Sequence, residues 1–166
     1  YFDLKAILSR VNEKTKTVFI CSPNNPTGSV TPKKDIIEFL DRIPSTILVF
    51  LDEAYIDFAK GDDVINSIEL LNKYKNLVVM RTFSKVMGLA GVRCGYLVAD
   101  PEIVRMMMKA REPFPVNRIA QAGALAALDD NDFYQRTLSN NSEAREYYYK
   151  EFDKMGLKYY QSSSNF

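Results

Sequence analysis

Three short runs of apolar, β-branched and aromatic residues stand out in the first half of the chain. They cover residues 17–21, 47–51 and 77–80. Each run is continuously apolar rather than alternating, a pattern typical of strands that are covered on both faces. We therefore expect three buried strands, and residues 94–99 predict a fourth.

Helical periodicity fills the segments between these runs. Thr31 and Pro32 predict an N-cap and a first helical residue after the first run. The apolar residues that follow them recur at helical spacing: Ile36, Ile37, Phe39 and Leu40. Residues 64–74 show a similar period between the second and third runs. Alternating strands and helices predict an α/β fold with a mostly parallel sheet and right-handed crossovers.

The second half of the chain carries mainly helical patterns. Helices are predicted over residues 101–109, 118–128 and 132–155. Gly156 should end the last of them, and residues 157–160 predict the start of a further strand. The composition changes near residues 129–131, so we predict one domain over 1–128 and a second over 129–166. The chain begins at Tyr1 and stops soon after a predicted strand begins, so we expect a longer protein to contain it.

Composition narrows the classes of function. The 166 residues carry a formal net charge of +1 and include no histidine. This excludes histidine-based acid–base catalysis, Ser-His triads and most zinc sites. The low net charge argues against nucleic acid or an acidic membrane surface as a partner, and no apolar run is long enough to span a bilayer. Cys21 and Cys94 flank apolar runs without metal-ligand spacing, so we expect reduced, buried thiols and a cytoplasmic protein.

Chemically distinctive residues lie where the predicted strands end. Asn25, Asp52 and Lys85 each follow one of the three apolar runs. In open α/β sheets, ligands bind beyond the carboxyl ends of the strands. The three residues are therefore expected to converge on one crevice, although no single motif among them would predict a site.

Lys85 and Asp52 have the clearest chemical roles in such a crevice. A lysine amine is a nucleophile only when it is neutral, which requires a desolvated or cation-rich setting, and Arg93 could provide one. A carboxylate at the end of an apolar strand needs a cationic partner, and a protonated pyridine nitrogen is such a partner. The ordinary alternatives are a solvated lysine for Lys85 and a helix cap or surface ion pair for Asp52.

The remaining candidates are hydrogen-bonding groups. Tyr55 and Asn25 could donate to a phenolate-type oxygen, although Asn25 also suits a plain turn. Thr82, Ser84 and Arg93 match a phosphate dianion in geometry and charge, although Arg93 could equally form a surface ion pair.

Together these residues resemble the fold-type I, pyridoxal-phosphate-dependent aminotransferases of classes I and II, most closely their histidinol-phosphate branch. The resemblance rests on the stretches 21–28, 52–55, 81–95, 112–117 and 164–166, and it covers nearly the whole chain. It implies a three-layer large domain with a mostly parallel sheet, incomplete in this chain, and the start of a small α+β domain.

The resemblance also implies roles for individual residues. In that family the lysine matching Lys85 forms the internal aldimine and later moves the substrate α-proton, and the aspartate matching Asp52 pairs with the pyridine nitrogen. The residues matching Asn25 and Tyr55 contact the 3′-oxygen of the cofactor. Those matching Thr82, Ser84 and Arg93 hold its phosphate.

Substrates and partners follow from the resemblance alone. It implies amino transfer between histidinol phosphate and 2-oxoglutarate by a homodimer, for histidine biosynthesis, with neither nucleic acid nor a membrane as a partner. Family members complete the site with segments outside this chain, so we expect residues 1–166 alone to be inactive or nearly so. Three alternatives stay open: a decarboxylase of a phosphorylated amino acid or another class I/II aminotransferase, a catalytically silent interaction domain, and a nucleotide-binding Rossmann domain. The last lacks a glycine-rich turn after its first strand.

Overall fold

A computed structural model describes residues 1–166 as an α/β structure around one four-stranded sheet. The strands are β1 (Thr17–Cys21), β2 (Leu48–Asp52), β3 (Leu77–Thr82) and β4 (Gly95–Ala99). The α-helices are α1 (Leu4–Arg10), α2 (Lys33–Arg42), α3 (Ser67–Leu70), α4 (Pro101–Ala110), α5 (Arg118–Asp129) and α6 (Asn131–Lys154). No helix combines the length and the apolar composition that crossing a membrane would require.

The sheet has the order β1-β2-β3-β4, and its first three strands are parallel. The fourth strand runs antiparallel to β3, which makes the sheet mostly parallel, as predicted. The register pairs Cys21 with Asp52 and Asp52 with Met80. Three strands of one direction therefore end side by side at a single edge of the sheet.

The hydrophobic core lies on one face of this sheet. Apolar residues of α1 and α2 pack there against alternate residues of the parallel strands, among them Ile20, Leu51 and Val79. On the other face Phe19 stacks on Phe50 with ring centroids 4.6 Å apart, yet Phe19 remains 60% exposed. The prediction that each of these strands is covered on both faces is therefore wrong for β1, whose Phe19 face is largely open to solvent.

Two helix predictions need correction. The helix expected to start at Thr31 and Pro32 begins at Lys33, because the Thr31 backbone N–H donates to the Ser22 hydroxyl and Thr31 is buried in the connection. The helix expected over residues 64–74 is only α3. Bonds of the i→i+3 kind follow it, such as that from the Lys73 N–H to the Leu70 carbonyl at 2.9 Å, and they end the α-helix after one turn.

The strand predicted from residue 157 is also wrong. A strand requires a hydrogen-bonded neighbour, and residues 157–160 pair with none of the four strands. The segment lies against α6 instead, where Tyr159 stacks on Tyr149 with ring centroids 4.8 Å apart. The helix before it matches the prediction closely, and Asp130 caps it by accepting a bond from the Phe133 N–H at 2.9 Å. The domain boundary near residues 129–131 stays a prediction.

Candidate functional site

The carboxyl ends of the three parallel strands bring Cys21, Asp52 and Thr82 to the same edge of the sheet. Asp52 is half-buried, and its Oδ1 accepts a bond from the Ala54 N–H at 2.9 Å. Cys21 is also half-buried rather than fully buried as predicted, and so is Cys94. Burial raises the pKa of the Cys21 thiol, and the nearby Asp52 charge adds to the rise against a backbone hydrogen bond from Asn25. The edge thus presents a carboxylate beside a thiol that stays protonated.

Three of the predicted site residues contact one another across two loops and the segment after β3. The Asn25 side-chain amide donates to the Tyr55 hydroxyl at 3.0 Å. The Lys85 Nζ lies 5.1 Å from the centroid of the Tyr55 ring. Tyr55 itself is only 6% exposed, so its ring is a fixed platform between the amide and the amine. The structure therefore brings Asn25, Tyr55 and Lys85 together.

Thr82 and Ser84 share the turn that leads from β3 to Lys85. The Thr82 hydroxyl accepts a bond from the Ser84 N–H at 3.0 Å, so both residues belong to one hydrogen-bonded unit. A second bond, from the Gly88 N–H to the Lys85 carbonyl at 3.0 Å, closes the following turn. The two hydroxyl side chains and the amine are therefore carried by one compact segment.

Arg93 is less tightly connected to this segment than the sequence suggests. Its backbone is left-handed, with φ 59°, and its Nη1 donates to the Ala90 carbonyl at 2.9 Å. The guanidinium forms no hydrogen bond with the hydroxyl of Thr82 or Ser84. Its remaining N–H groups stay available for a ligand, because a guanidinium carries donors on all three nitrogens.

Sequence reasoning missed a buried ion pair next to these residues. The Glu53 carboxylate, 1% exposed, accepts bonds from Arg81 Nε at 2.9 Å and from the Ser67 hydroxyl. Its Oε2 also lies 2.8 Å from Arg81 Nη2. Burial raises the pKa of Glu53, while the Ser67 bond and the Arg81 charge oppose the rise. Strand alternation was the one signal in the sequence: it directs Glu53 to the face opposite Asp52. The Glu53 carboxylate therefore needs a partner on that face rather than in the crevice.

Sequence reasoning also missed that the last residues of the chain reach the site. The Phe166 ring stands edge-on to the Tyr55 ring, with centroids 5.0 Å apart. The Ser163 N–H donates to the Gly28 carbonyl at 2.7 Å. Gly28 has φ 65°, and a side chain there would collide with Ser162, so this position favours glycine both for its backbone and for its space. No sequence pattern specified this contact.

A separate groove of about 360 Å³ lies between α1 and α2. None of the predicted site residues lines it. The candidate site is thus the end of the sheet where polar groups converge, not this groove between the two helices.

Comparison with known proteins assigns this arrangement to a family. The family model of class I and II aminotransferases matches residues 1–166. The chain belongs to this aminotransferase family. The histidinol-phosphate aminotransferase of Bacillus subtilis strain 168 is 46% identical over 164 residues, which are 99% of this chain and 46% of that protein. This aminotransferase chain therefore spans just under half the length of the curated relatives it matches.

Solved structures confirm the predicted fold class of the aminotransferase chain. The histidinol-phosphate aminotransferase of Sinorhizobium meliloti, in complex with pyridoxal-5′-phosphate, superposes with a TM-score of 0.90 at 34% identity, covering 98% of this chain and 44% of that one. A putative histidinol-phosphate aminotransferase from Erwinia carotovora atroseptica also gives 0.90 at 27% identity, covering 98% and 48%. The α/β fold with a mostly parallel sheet is thus the fold of this family.

Proposed function

We propose that the protein containing this chain is a pyridoxal-phosphate-dependent aminotransferase that passes an amino group from histidinol phosphate to 2-oxoglutarate in histidine biosynthesis. The contact of Asn25, Tyr55 and Lys85 beside the end of β2 is the observation that carries the proposal. The names and identities of the relatives support the substrate. The homodimer and the cytoplasmic location predicted above remain part of the same proposal.

The residues present fit the cofactor in the chemistry of their donor set. A carboxylate, a phenol, an amide, an amine and two hydroxyls lie at one end of the sheet. The guanidinium belongs to Arg93, which directly precedes Cys94, and the Cys94 carbonyl accepts a bond from the Phe83 N–H there. Asp52 would hold a protonated ring nitrogen by its negative charge. Thr82, Ser84 and Arg93 would bind the phosphate. When bound, pyridoxal phosphate supplies an electron sink for the charge that develops at the substrate α-carbon.

The hydrogen-bond direction at Tyr55 supports its assigned role. Asn25 Nδ2 donates to the Tyr55 oxygen, and this leaves the Tyr55 O–H proton free to be donated onward. Tyr55 can therefore donate to the 3′-oxygen of the cofactor while Asn25 holds the phenol in place. The Lys85 Nζ above the ring would hold the cofactor covalently and afterwards carry the α-proton.

The test is covalent trapping of the cofactor in the complete natural protein that contains residues 1–166. We expect added pyridoxal phosphate to produce an imine absorbance band, and borohydride to fix one pyridoxyl group on the peptide that contains Lys85. Lys85→Ala should abolish both signals and lower the rate of amino transfer by at least about 10²–10⁴-fold, the range for loss of a catalytic acid or base. Lys60→Ala, at an exposed lysine, is the matched control and should change neither signal.

The products then distinguish the proposed reaction from its alternatives. With L-histidinol phosphate and 2-oxoglutarate we expect glutamate to form at the rate at which histidinol phosphate is consumed. Release of carbon dioxide from a phosphorylated amino acid would instead support the decarboxylase. Equal labelling of the protein with and without Lys85 would overturn the proposal, and the absence of any imine absorbance band would favour a catalytically silent domain.

A further inference from the structure

A buried ion pair connects the ends of β2 and β3 on the face opposite Asp52. Glu53 follows the last residue of β2, and Arg81 is the penultimate residue of β3. The Glu53 backbone N–H also donates to the Met80 carbonyl at 2.9 Å, which continues the ladder past Asp52. The two side chains therefore face each other directly across adjacent strands.

Three donors surround the Glu53 carboxylate and leave it almost no freedom. Arg81 reaches it through Nε at 2.9 Å and Nη2 at 2.8 Å, and the Ser67 hydroxyl at the start of α3 adds a third contact. Both Arg81 nitrogens approach the same oxygen, Oε2, while the Ser67 hydroxyl binds the other, Oε1, so the three contacts together fix the position and the rotation of the carboxylate. The pair is therefore a rigid clamp between the two strand ends.

Stability alone is a poor explanation for such a clamp. Taking two charges out of water costs free energy, and packed apolar residues of similar volume often stabilise a fold as well or better. Here burial alone would lower the pKa of Arg81, but the Glu53 carboxylate, with a smaller contribution from Tyr96, raises it above its ordinary value. Retaining charges at this place is better explained by the geometry that they impose.

The clamp controls the two strand ends that hold the proposed cofactor ligands. Asp52 directly precedes Glu53, and Thr82 directly follows Arg81. Because Asp52 pairs with Met80, alternation puts Asp52 and Thr82 on one face and the clamp on the other. Any slide or rotation between the strand ends would change the distance from Asp52 to Thr82 and Ser84.

We infer that Glu53 and Arg81 are positioning residues that fix the spacing between Asp52 and the Thr82–Ser84 hydroxyls. With this spacing, Asp52 can bind the ring nitrogen of a ligand while the hydroxyls bind its phosphate. The inference rests on the proposed function. Neither residue need touch the cofactor, since both act through the residue next to them in the chain.

The test compares two aldehydes that differ only in the phosphate. The dissociation constants of pyridoxal and of pyridoxal phosphate are measured for the complete natural protein and for Glu53→Gln. Both aldehydes can react with Lys85. The ratio of the dissociation constant of pyridoxal to that of pyridoxal phosphate therefore measures how much the phosphate contributes to binding. We expect Glu53→Gln to reduce this ratio by about 10- to 100-fold, the effect known for partners that orient metal ligands.

Two further variants separate positioning from general destabilisation. Arg81→Lys keeps the charge but loses the rigid guanidinium that places Nε and Nη2 on Oε2, so it should reduce the ratio as well and serves if Glu53→Gln does not fold. Ile36→Val, at a buried position of α2, weakens the core away from the clamp and should leave the ratio unchanged.

The outcomes that would overturn the positioning role differ from the one that would overturn the proposed function. A ratio that stays at the wild-type value in every folded clamp variant overturns the positioning role and leaves the proposed function intact. A wild-type protein that binds both aldehydes equally well overturns the proposed function and the clamp together. A ratio that falls equally in Ile36→Val also overturns the positioning role, because loosening of the core would then explain the loss.

Discussion

Two consecutive carboxylates, Asp52 and Glu53, have opposite environments. Glu53 is 1% exposed and bound by Arg81 and Ser67. Asp52 is half-buried, and its Oδ1 is bound by the backbone N–H of Ala54. Strand alternation alone separates the two by directing neighbouring side chains to opposite faces. The difference teaches that one face of the strand ends is saturated with internal partners, while the other keeps hydrogen-bonding capacity for a ligand.

A similar contrast in hydrogen bonding distinguishes two tyrosines that pack in one small apolar cluster near these strand ends. Tyr55 receives a bond from Asn25 and keeps its own proton for another acceptor. Tyr134 on α6 uses its proton internally and donates it to Asp57 Oδ1 at 2.9 Å. We therefore expect substitutions of groups that already have internal partners to change the free energy of unfolding, and substitutions of groups with free hydrogen-bonding capacity to change ligand binding.

The largest expected change in stability comes from Glu53→Ala. Removing the carboxylate leaves the Arg81 guanidinium and the Ser67 hydroxyl without their acceptor. Loss of one member of a buried pair costs about 3–5 kcal/mol, and the lower end applies here because the Arg81 side chain is 27% exposed. Urea unfolding at pH 7 measures the change.

The matched control for that measurement is Glu38→Ala. Glu38 forms an ion pair with Arg42 at 3.1 Å on the surface of α2, and both side chains are about half exposed. Exposed pairs of this spacing contribute about 0.3–0.5 kcal/mol. If Glu53→Ala and Glu38→Ala lowered the free energy of unfolding equally, the internal partners on the Glu53 face would not stabilise the fold more than a surface ion pair does.

Tyr134→Phe should have an intermediate effect that depends on pH. A hydrogen bond to a charged group contributes about 1.5–3 kcal/mol, and the low end is expected because Tyr134 is only half-buried. Burial, together with the charge and hydrogen bond of Asp57, raises the pKa of Tyr134 to about 12. A raised pKa means that the folded state holds the proton more tightly than the unfolded state.

The stabilisation that Tyr134 provides should decrease at high pH. The contribution of Tyr134 is fully present below its ordinary pKa of 10.0 and is lost as the pH rises towards about 12. The difference in unfolding free energy between wild type and Tyr134→Phe should therefore be constant up to pH 10 and shrink above it. A difference that stays constant to pH 12 would show that the Tyr134–Asp57 bond does not form in solution.

The strand pattern and the site motifs could be predicted from the sequence because both depend on local signals. Apolar runs predict strands, and the residues that follow parallel strands lie together at the carboxyl end of the sheet. Asn25, Tyr55 and Lys85 were predicted for that edge, and the structure brings them into contact. Whether they bind the proposed cofactor stays a prediction.

The features that could not be predicted all depend on contacts between distant residues. Glu53 and Arg81 are 28 positions apart, and nothing local to either predicts the other. The contact of Phe166 with Tyr55 depends on how the segment after α6 runs back along that helix. The false strand at residues 157–160 reflects the absence of a neighbouring strand. The helix predicted over residues 64–74 is shorter for a similar reason. The observed α3 begins at Ser67, whose hydroxyl donates to the distant Glu53, and i→i+3 bonds end it after one turn.

The smallest change in stability is expected for Asp52→Asn, and this variant tests the comparison most sharply. An asparagine Oδ1 can accept the same bond from the Ala54 N–H, so the free energy of unfolding should change by no more than about 0.5 kcal/mol. The amide cannot neutralise a protonated ring nitrogen, so affinity for pyridoxal phosphate should fall by about 10- to 100-fold, the equivalent of a hydrogen bond to a charged group. Urea unfolding and a cofactor titration on the same preparation measure both quantities. If Asp52→Asn instead destabilised the protein as much as Glu53→Ala, the two faces of the strand ends would not differ in role, and Asp52 would be a structural carboxylate like its neighbour.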